Sequence, residues 1–267
     1  MWKHWNELVE KNSSKESIIA WAYPVSNGLY LPSPLTSIDM AFAVETDSLL
    51  GSIFPGEEWS LFPPDPFTYF VNGEDDFVVG WLQYMCYRFP NAMGWTSYKE
   101  KLTKIPHIDL TRIIRLVDDS SITQIKQSNP LGVNVVIQSS IQHPNKLSIP
   151  ALRINGDFVF ITTLPMEDET ILNELFMNFK HVYMVRPYWT TPPNSPLIVI
   201  VGVQYLGEET KITKDKLDEY EESKKSVLKA MLEQQKYIDS LNSSDIKGTS
   251  SPTFIDFLQK GYSTWDI

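Results

Sequence analysis

The chain has 267 residues, of which 42% are hydrophobic and 12% aromatic, and its formal net charge at pH 7 is -10. This length and composition exclude an intrinsically disordered protein, because the chain can bury a substantial core. The negative charge excludes a broad basic face for DNA or RNA. Contact with RNA is therefore expected only through a small patch or together with a partner.

Cysteine and histidine usage argue against metal or disulfide stabilisation. The single cysteine, Cys86, excludes a disulfide framework, and its apolar neighbours predict a buried core residue. The four histidines are scattered without ligand spacing, so no metal site is expected. The N-terminal residues contain no apolar signal segment, and no run reaches transmembrane length. A cytoplasmic protein without membrane contact is the resulting prediction.

Residues 1–66 are predicted to form an N-terminal arm outside the main domain. Residues 5–23 predict one helix, and the prolines that follow block long helices. Apolar side chains interspersed with these prolines indicate a packed segment and not a free linker. Within it, residues 37–54 predict helical turns that begin at Ser37 or Asp39.

Residues 67–207 alternate between apolar runs and helical patterns. Strands are predicted over residues 67–71, 92–97, 113–117, 134–138, 157–163, 181–187 and 197–206. Helices are predicted over residues 75–89, 120–127 and 168–179. Several strands are apolar on both faces, which is typical of a sheet covered by helices on each side. The pattern predicts an α/β domain with a mostly parallel sheet and a C-terminal antiparallel hairpin.

Residues 208–241 predict a long, charged, amphipathic helix. Its apolar stripe consists of Leu217, Tyr220, Val227, Met231, Ile238 and Leu241. Two interpretations stay open: the helix lies on its own domain, or it faces a partner. Residues 242–253 have the composition of a flexible linker. The tail, residues 254–267, is predicted to dock onto this domain or onto another chain through Phe254, Phe257, Leu258, Tyr262 and Trp265.

The stretch LRINGDFVFITTLPMEDETILNELFMNFKHVYMVRPYWTTPPNSPLIVIVGVQYL contains a strand, a helix, a strand ending at Arg186-Pro187, and a final apolar strand. This order resembles the FtsJ/RrmJ-like family of S-adenosylmethionine-dependent RNA 2′-O-methyltransferases, in which the second strand ends near Lys-Pro. Upstream, NGEDDF (72–77) stands where that family has its cofactor loop. GVNVVIQSS (132–140) stands where it has the strand ending in a catalytic aspartate. The resemblance implies a Rossmann-like methyltransferase fold.

The resemblance also implies a catalytic Lys-Asp-Lys-Glu tetrad, whose central lysine favours the developing ribose alkoxide. In this chain the aspartate position falls on Ser139, the central lysine on Ile161 and the glutamate on Pro196. The candidates for the first lysine are Lys3, Lys11 and Lys15. Because the three aligned positions carry no titratable group, the tetrad is predicted to be lost and no catalytic residue is expected.

The segment aligned with the cofactor loop consists of Asn72, Gly73, Glu74, Asp75 and Asp76. Binding S-adenosylmethionine requires backbone N–H groups to approach its carboxylate, which favours small residues and a neutral or positive field. The three acids oppose both requirements. A capped structural turn, with Asp75 or Asp76 as helix N-cap, explains them instead. No cofactor is therefore predicted.

A short aromatic and basic segment follows the predicted strand over residues 181–187. Arg186, Tyr188 and Trp189 predict RNA contact through charge and stacking. The alternative is structural: Arg186 pairs at the strand end beside packed aromatic rings. Both interpretations, RNA contact and a structural role, stay open.

A degenerate methyltransferase-like domain with a C-terminal helical appendage is similar to the small, stimulatory subunits of poxvirus-type mRNA capping enzymes. This resemblance implies a viral pseudoenzyme that forms a heterodimer with a larger catalytic capping or methyltransferase chain. Two alternatives stay open. One is a diverged active RNA 2′-O-methyltransferase that binds S-adenosylmethionine and uses Lys126, Lys146 or Arg153 as its cation. The other is an unrelated α/β interaction module.

Overall fold

The computed structural model describes residues 1–15, 35–53, 62–64, 66–116, 121–140, 147–165, 169–188 and 190–241. Several predictions lie outside these residues: the linker over 242–253, the tail with Phe254, Phe257, Leu258, Tyr262 and Trp265, the side chains of Trp189 and Lys146, and part of the proline-rich arm.

Seven strands form one sheet: β1 (Thr68–Asn72), β2 (Met93–Thr96), β3 (Ile113–Arg115), β4 (Val133–Ser139), β5 (Leu152–Thr163), β6 (Phe179–Val185) and β7 (Leu197–Tyr205). Their order is β3-β2-β1-β4-β5-β7-β6. Strands β1 to β5 pair in parallel, whereas β7 is antiparallel to both β5 and β6. The predicted Rossmann-like sheet with a C-terminal antiparallel hairpin is confirmed.

Six α-helices accompany the sheet among the described residues: α1 (Trp2–Asn12), α2 (Ile38–Ile53), α3 (Asp76–Arg88), α4 (Ser121–Ser128), α5 (Glu169–Asn178) and α6 (Lys214–Ser240). Short 3-10 turns cover Ser13–Lys15 and Ile149–Ala151. In the part of the chain that the structure describes, no helix combines the length and apolar character that a membrane span requires.

The N-terminal arm is more regular than its sequence predicts. Helix α1 starts at Trp2, three residues before the predicted segment, and its α-helical part ends at Asn12. Helix α2 is a continuous helix of 16 residues where only helical turns were expected. Ser37 begins it as predicted, because its Oγ accepts a hydrogen bond from the Met40 N–H at 3.1 Å.

Alternation of side chains along the strands builds two apolar layers, one on each face of the sheet. On one face Ile137 of β4 and Val159 of β5 pack against helices α2 and α3. On the other face Val136 and Phe158 pack with residues of α1, α4, α5 and α6. Gly80 lets α2 and α3 approach closely, because a Cβ there would lie 2.2 Å from the carbonyl carbon of Asp39.

Helix α6 lies on its own domain, as one of the two interpretations predicts. Its stripe is buried at Tyr220, Val227, Met231 and Ile238, while Leu217 is 41% exposed, contrary to its predicted place in that stripe. Leu217 belongs to the first turn of the helix. The Met184 N–H donates to Ser223 Oγ at 2.9 Å, so α6 also satisfies the outer edge of β6.

Candidate functional site

In Rossmann-like sheets, ligands bind beyond the carboxyl ends of the strands where the strand order reverses. Here the chain proceeds outward from β1 to β2 and β3 and then returns to β4 on the other side of β1. The carboxyl ends of β1 and β4, at Asn72 and Ser139, therefore mark the expected ligand position. The two segments singled out in the sequence meet at this point.

Polar side chains at this position bind one another. Asn72 Oδ1 accepts from Ser97 Oγ at 2.5 Å, and its Nδ2 donates to Ser148 Oγ at 2.7 Å. Ser97 Oγ also accepts from the Gly73 N–H at 3.3 Å. The Ser148 N–H in turn donates to Gln138 Oε1 at 2.8 Å. The ends of β1, β2 and β4 are thereby tied together through groups that a ligand would otherwise use.

Gly73 packs the turn directly against the end of β4. Its φ of +143° is a conformation that side chains rarely adopt. A Cβ at this position would lie 2.8 Å from the Ser139 carbonyl oxygen and 2.9 Å from Val78 Cγ2. The glycine is thus required by close packing within the chain, and ligand binding is not needed to explain it.

Asp75 occupies the N-cap position of α3, as predicted, but its side chain makes no capping hydrogen bond. Instead Ser139 Oγ donates to Asp75 Oδ2, and Oδ1 is buried without a hydrogen-bond partner among the described residues. Asp76 opens the first turn of α3, where negative charge is favourable. Glu74 points outward and pairs with Lys99 at 3.0 Å. The acids are therefore accounted for, although not by the predicted cap.

The local field at this edge is negative. Burial, and then the charge of Asp76, raise the pKa of Asp39 to about 6. Burial also raises the pKa of Asp75, against the hydrogen bond from Ser139, which lowers it. The carboxyl groups of Asp39, Asp75 and Asp76 thus lie close together at the N-terminal ends of α2 and α3. They would repel the carboxylate of S-adenosylmethionine. In the sequence, Asp39 was noted only as a helix start.

The fold brings the aligned tetrad positions together. Ser139 and Ile161 are register partners in β4 and β5. The Leu164 N–H donates to the Pro196 carbonyl oxygen at 2.9 Å, which places the third position beside the end of β5. Ile161 is fully buried in the apolar layer, and the Ser139 hydroxyl is bound to Asp75. The side chains at these three positions are a hydroxyl, an alkyl chain and a proline ring.

Four of the residues considered for catalysis, Lys11, Lys15, Lys126 and Arg153, lie elsewhere in the described structure. Lys15 Nζ donates to three main-chain carbonyls at the end of α6, and Lys11 pairs with Asp239 at 2.8 Å. Arg153 is exposed near the start of β5, eight residues before Ile161 and on the far side of the register shift between Leu152 and Asp157. Lys126 is exposed in the last turns of α4.

Arg186 is buried, with 1% of its surface exposed. Its Nη1 donates to the Leu197 carbonyl, and its Nη2 donates to the Pro192 carbonyl at 3.0 Å. Its Cζ lies 6.0 Å from the ring centroid of Tyr188, whose hydroxyl donates to the Val227 carbonyl at 3.1 Å. Burial lowers the pKa of Arg186 to about 10. In this conformation the geometry matches the structural alternative, and RNA contact stays a prediction.

The loop after β6 is also fixed by a residue that the sequence analysis missed. Glu45, buried in α2, accepts from the Tyr188 N–H at 2.8 Å, the Thr190 N–H at 3.0 Å and the Thr190 hydroxyl at 2.7 Å. A carboxylate within the apolar run MAFAVETDSLL is the available signal, since a buried charge needs a partner. That partner is distant in sequence and could not be identified.

No group of three or more histidine, cysteine, aspartate or glutamate side chains is arranged to hold a metal ion within the described ranges. The three clustered acids near α3 do not form such a group. The arrangement at this edge can form hydrogen bonds and exchange protons at its aspartates, but its described residues include no lysine or arginine placed to stabilise a developing alkoxide.

No protein-family model and no curated protein sequence matches this chain. Among solved structures, a putative ribosomal RNA methyltransferase from Plasmodium falciparum is 15% identical, with a TM-score of 0.45, over 64% of this chain and 99% of that one. A fibrillarin/Nop5p complex gives 14% identity and a TM-score of 0.42 over 61% and 84%. Human methyltransferase-like protein 13 in complex with SAH gives 11% and 0.41 over 83% and 96%. The TM-scores are below 0.5, and the fold class rests on strand order and register.

Proposed function

We propose that this chain is a non-catalytic, methyltransferase-like subunit that binds and stabilises or stimulates a catalytic RNA cap-modifying partner. One observation carries the proposal: Ser139, Ile161 and Pro196 meet at the carboxyl edge of the sheet without a titratable side chain. The proposed role is that of the small subunits of poxvirus-type capping enzymes, which would make the protein a viral member of a cytoplasmic heterodimer.

Chemistry at this edge argues against methyl transfer by the chain itself. Activating a ribose 2′-hydroxyl requires a group that accepts its proton or a cation that favours the alkoxide. The Ser139 hydroxyl is already bound to Asp75, and Ile161 contributes only apolar surface. The partner would therefore supply the catalytic residues, and this chain would supply a folded surface.

We also propose that the chain holds no cofactor, because the turn that would receive it is closed by its own contacts. Gly73 contacts the end of β4, and Asn72 is bound to Ser97 and Ser148. A cofactor carboxylate would have to break these contacts and also approach Asp75 and Asp76. Both steps cost free energy, and no contact in the closed turn would compensate for that cost.

The tail over residues 254–267 is the proposed docking element, since five large apolar residues follow a polar linker. Binding of RNA by the isolated chain is expected to be weak, because the net charge of -10 repels a phosphate backbone. The partner would then provide most of the RNA affinity of the complex.

The proposal is tested by reconstitution with the cap methyltransferase chain of the same source. The mixture should form a stable heterodimer in size-exclusion chromatography with light scattering, and methyl transfer to capped RNA should be faster than with the catalytic chain alone. Methyl transfer by this chain alone contradicts the proposal, as does a partner that neither binds nor responds to it.

The second candidate is a diverged, active S-adenosylmethionine-dependent RNA 2′-O-methyltransferase. The observation in its favour is Asp39, whose pKa of about 6 at the carboxyl edge is suited to accepting a proton near neutral pH. This candidate predicts methyl transfer that is lost in Asp39→Asn. The non-catalytic proposal predicts no methyl transfer by the wild-type chain or by Asp39→Asn. The same assay therefore distinguishes the two candidate functions.

A further inference from the structure

Glu45 fills a cluster of hydrogen-bond donors at the start of the loop between β6 and β7. Its Oε1 accepts from the Tyr188 N–H at 2.8 Å, and its Oε2 accepts from the Thr190 N–H at 3.0 Å and the Thr190 hydroxyl at 2.7 Å. Glu45 and Thr190 are each only 4% exposed. Three donors from one short loop therefore converge on a single buried carboxylate.

The same loop carries a buried cation whose hydrogen bonds are incomplete. Arg186 directs Nη1 and Nη2 to main-chain carbonyls, while its Nε is buried without a hydrogen-bond partner among the described residues. The Thr191 hydroxyl, with 0% of its residue exposed, is likewise unpartnered within those ranges. The loop thus offers more donors than Glu45 uses.

These groups match the chemistry that binds phosphate. Main-chain N–H groups, a hydroxyl and a guanidinium are donors that recur at phosphate sites, and a carboxylate presents the same kind of charged oxygen acceptors. We propose that Arg186, Tyr188, Thr190 and Thr191 form a phosphate-binding site that the Glu45 carboxylate keeps closed by occupying it. The ligand phosphate takes over the three donors from Glu45 and pairs with Arg186.

This inference goes beyond the proposed function, because it concerns a site on this chain and does not require a partner. It also explains why Arg186 and Tyr188, predicted to contact RNA, are largely withdrawn from solvent. In the closed state Glu45 balances the charge of Arg186 and removes the need for an external anion. The wild-type chain should bind phosphate weakly, since a ligand must first displace this internal contact.

Glu45→Gln tests the site directly. The amide keeps the shape of the side chain, but it removes the charge and turns an NH2 donor towards the loop donors, which breaks part of the closing contact. The probes are a short single-stranded RNA, followed by fluorescence anisotropy, and inorganic phosphate, followed by calorimetry. We expect Glu45→Gln to bind the RNA about tenfold more tightly than the wild type, or to bind phosphate that the wild type does not.

Three further variants make the result specific. Glu74→Gln removes the same charge from an exposed acid and should leave both affinities unchanged. Glu45→Asp keeps the net charge but shortens the side chain, and should give a gain in the same direction. Adding Arg186→Gln to Glu45→Gln should remove the gain, because the guanidinium is the proposed phosphate partner.

The two probes distinguish the source of the phosphate. A gain for RNA assigns the site to a nucleic acid backbone, and a gain for inorganic phosphate alone assigns it to a small phosphate ligand. No gain with either probe overturns the proposal, as does an equal gain in Glu74→Gln or a gain that survives Arg186→Gln. If Glu45→Gln does not fold, Glu45→Asp decides by the same criteria.

Discussion

Asp157 is a buried carboxyl group in the middle of β5 with one hydrogen bond, from the Gln204 N–H at 2.8 Å. Burial raises the pKa of Asp157 from 3.8 to about 7, against this hydrogen bond, which lowers it. The folded state therefore binds a proton more tightly than the unfolded state between these two values. The protonated Asp157 carboxyl therefore contributes stability that is fully present below pH 3.8. This contribution is lost as the pH rises through about 7.

Asp157→Asn should remove this pH dependence, because the amide oxygen can still accept from the Gln204 N–H while no charge is buried. We expect the free energy of unfolding of the variant to exceed that of the wild type by more at pH 8 than at pH 5. The two differences should differ by roughly 2–3 kcal/mol. Urea denaturation of both proteins at the two pH values measures it. An equal change at both values would show that ionisation of Asp157 does not matter.

Gly73→Ala should destabilise the protein by about 2 kcal/mol or more, because the new Cβ meets Ser139 and Val78 and the backbone conformation is strained. The matched control is Gly51→Ala in α2, where a Cβ would meet nothing within 4 Å. That change should stabilise the protein by up to about 1 kcal/mol. Denaturant unfolding of both variants is the measurement, and a neutral Gly73→Ala would contradict the closed turn.

Sequence reasoning at this scale succeeded for apolar residues and failed for buried polar ones. Cys86 is buried as expected, since apolar residues surround it in the sequence. Glu45 and Asp157 were missed, because a carboxyl group in an apolar run indicates a buried charge only when a partner for it can be identified. The contacts that make their burial tolerable come from residues distant in the chain.

Among the elements, α6 depends on the N-terminal residues for its final turn. Lys15 Nζ donates to the carbonyls of Ile238, Asp239 and Leu241 at 2.8–3.2 Å. A cation at the C-terminus of a helix satisfies carbonyls that have no partner within the helix. Asn12 adds a buried contact, since its Nδ2 donates to Gln235 Oε1 at 3.0 Å.

Lys15→Ala should therefore lower the free energy of unfolding by about 1–2 kcal/mol. Lys11→Ala, which removes a more exposed ion pair with Asp239, should cost less than about 0.5 kcal/mol. Urea unfolding of the two variants compares them. Equal losses would mean that Lys15 acts only as another surface charge.

Most of the elements were predictable, apart from the length of α2 and the first five residues of β5, but their arrangement was not. Each of the seven strands overlaps a run predicted from the sequence, and the segment YWTTPPNSP between β6 and β7 indicated a hairpin. The insertion of β7 between β5 and β6 depends on which edges pair, and no local pattern encodes that choice. The contact between α1 and α6 is equally non-local.

For the whole molecule, the tail is the part of the docking proposal that can be tested alone. Deletion of residues 250–267 should abolish binding to the catalytic partner while leaving the α/β domain folded, because residues 242–253 have the composition of a flexible linker between the domain and the tail. Circular dichroism checks the fold, and size-exclusion chromatography of the mixture checks binding. Unchanged partner binding would show that the tail is not the docking element.

At this scale the sequence predicted the fold class and the aligned positions that share one edge of the sheet. It could not predict how that edge is closed, because the closure uses hydrogen bonds between Asn72, Ser97, Ser139, Asp75 and Ser148, which come from four separate segments. The non-catalytic role and the identity of the partner stay proposals.

Calorimetric titration of the purified chain with S-adenosylmethionine and S-adenosylhomocysteine tests the central claim most directly. A closed turn with Asp75 and Asp76 beside it predicts no detectable binding of either compound. Micromolar binding would contradict the account, because Gly73 and Asn72 would then have to open to admit a cofactor. Methyl transfer to capped RNA by the chain alone would have to be assayed next.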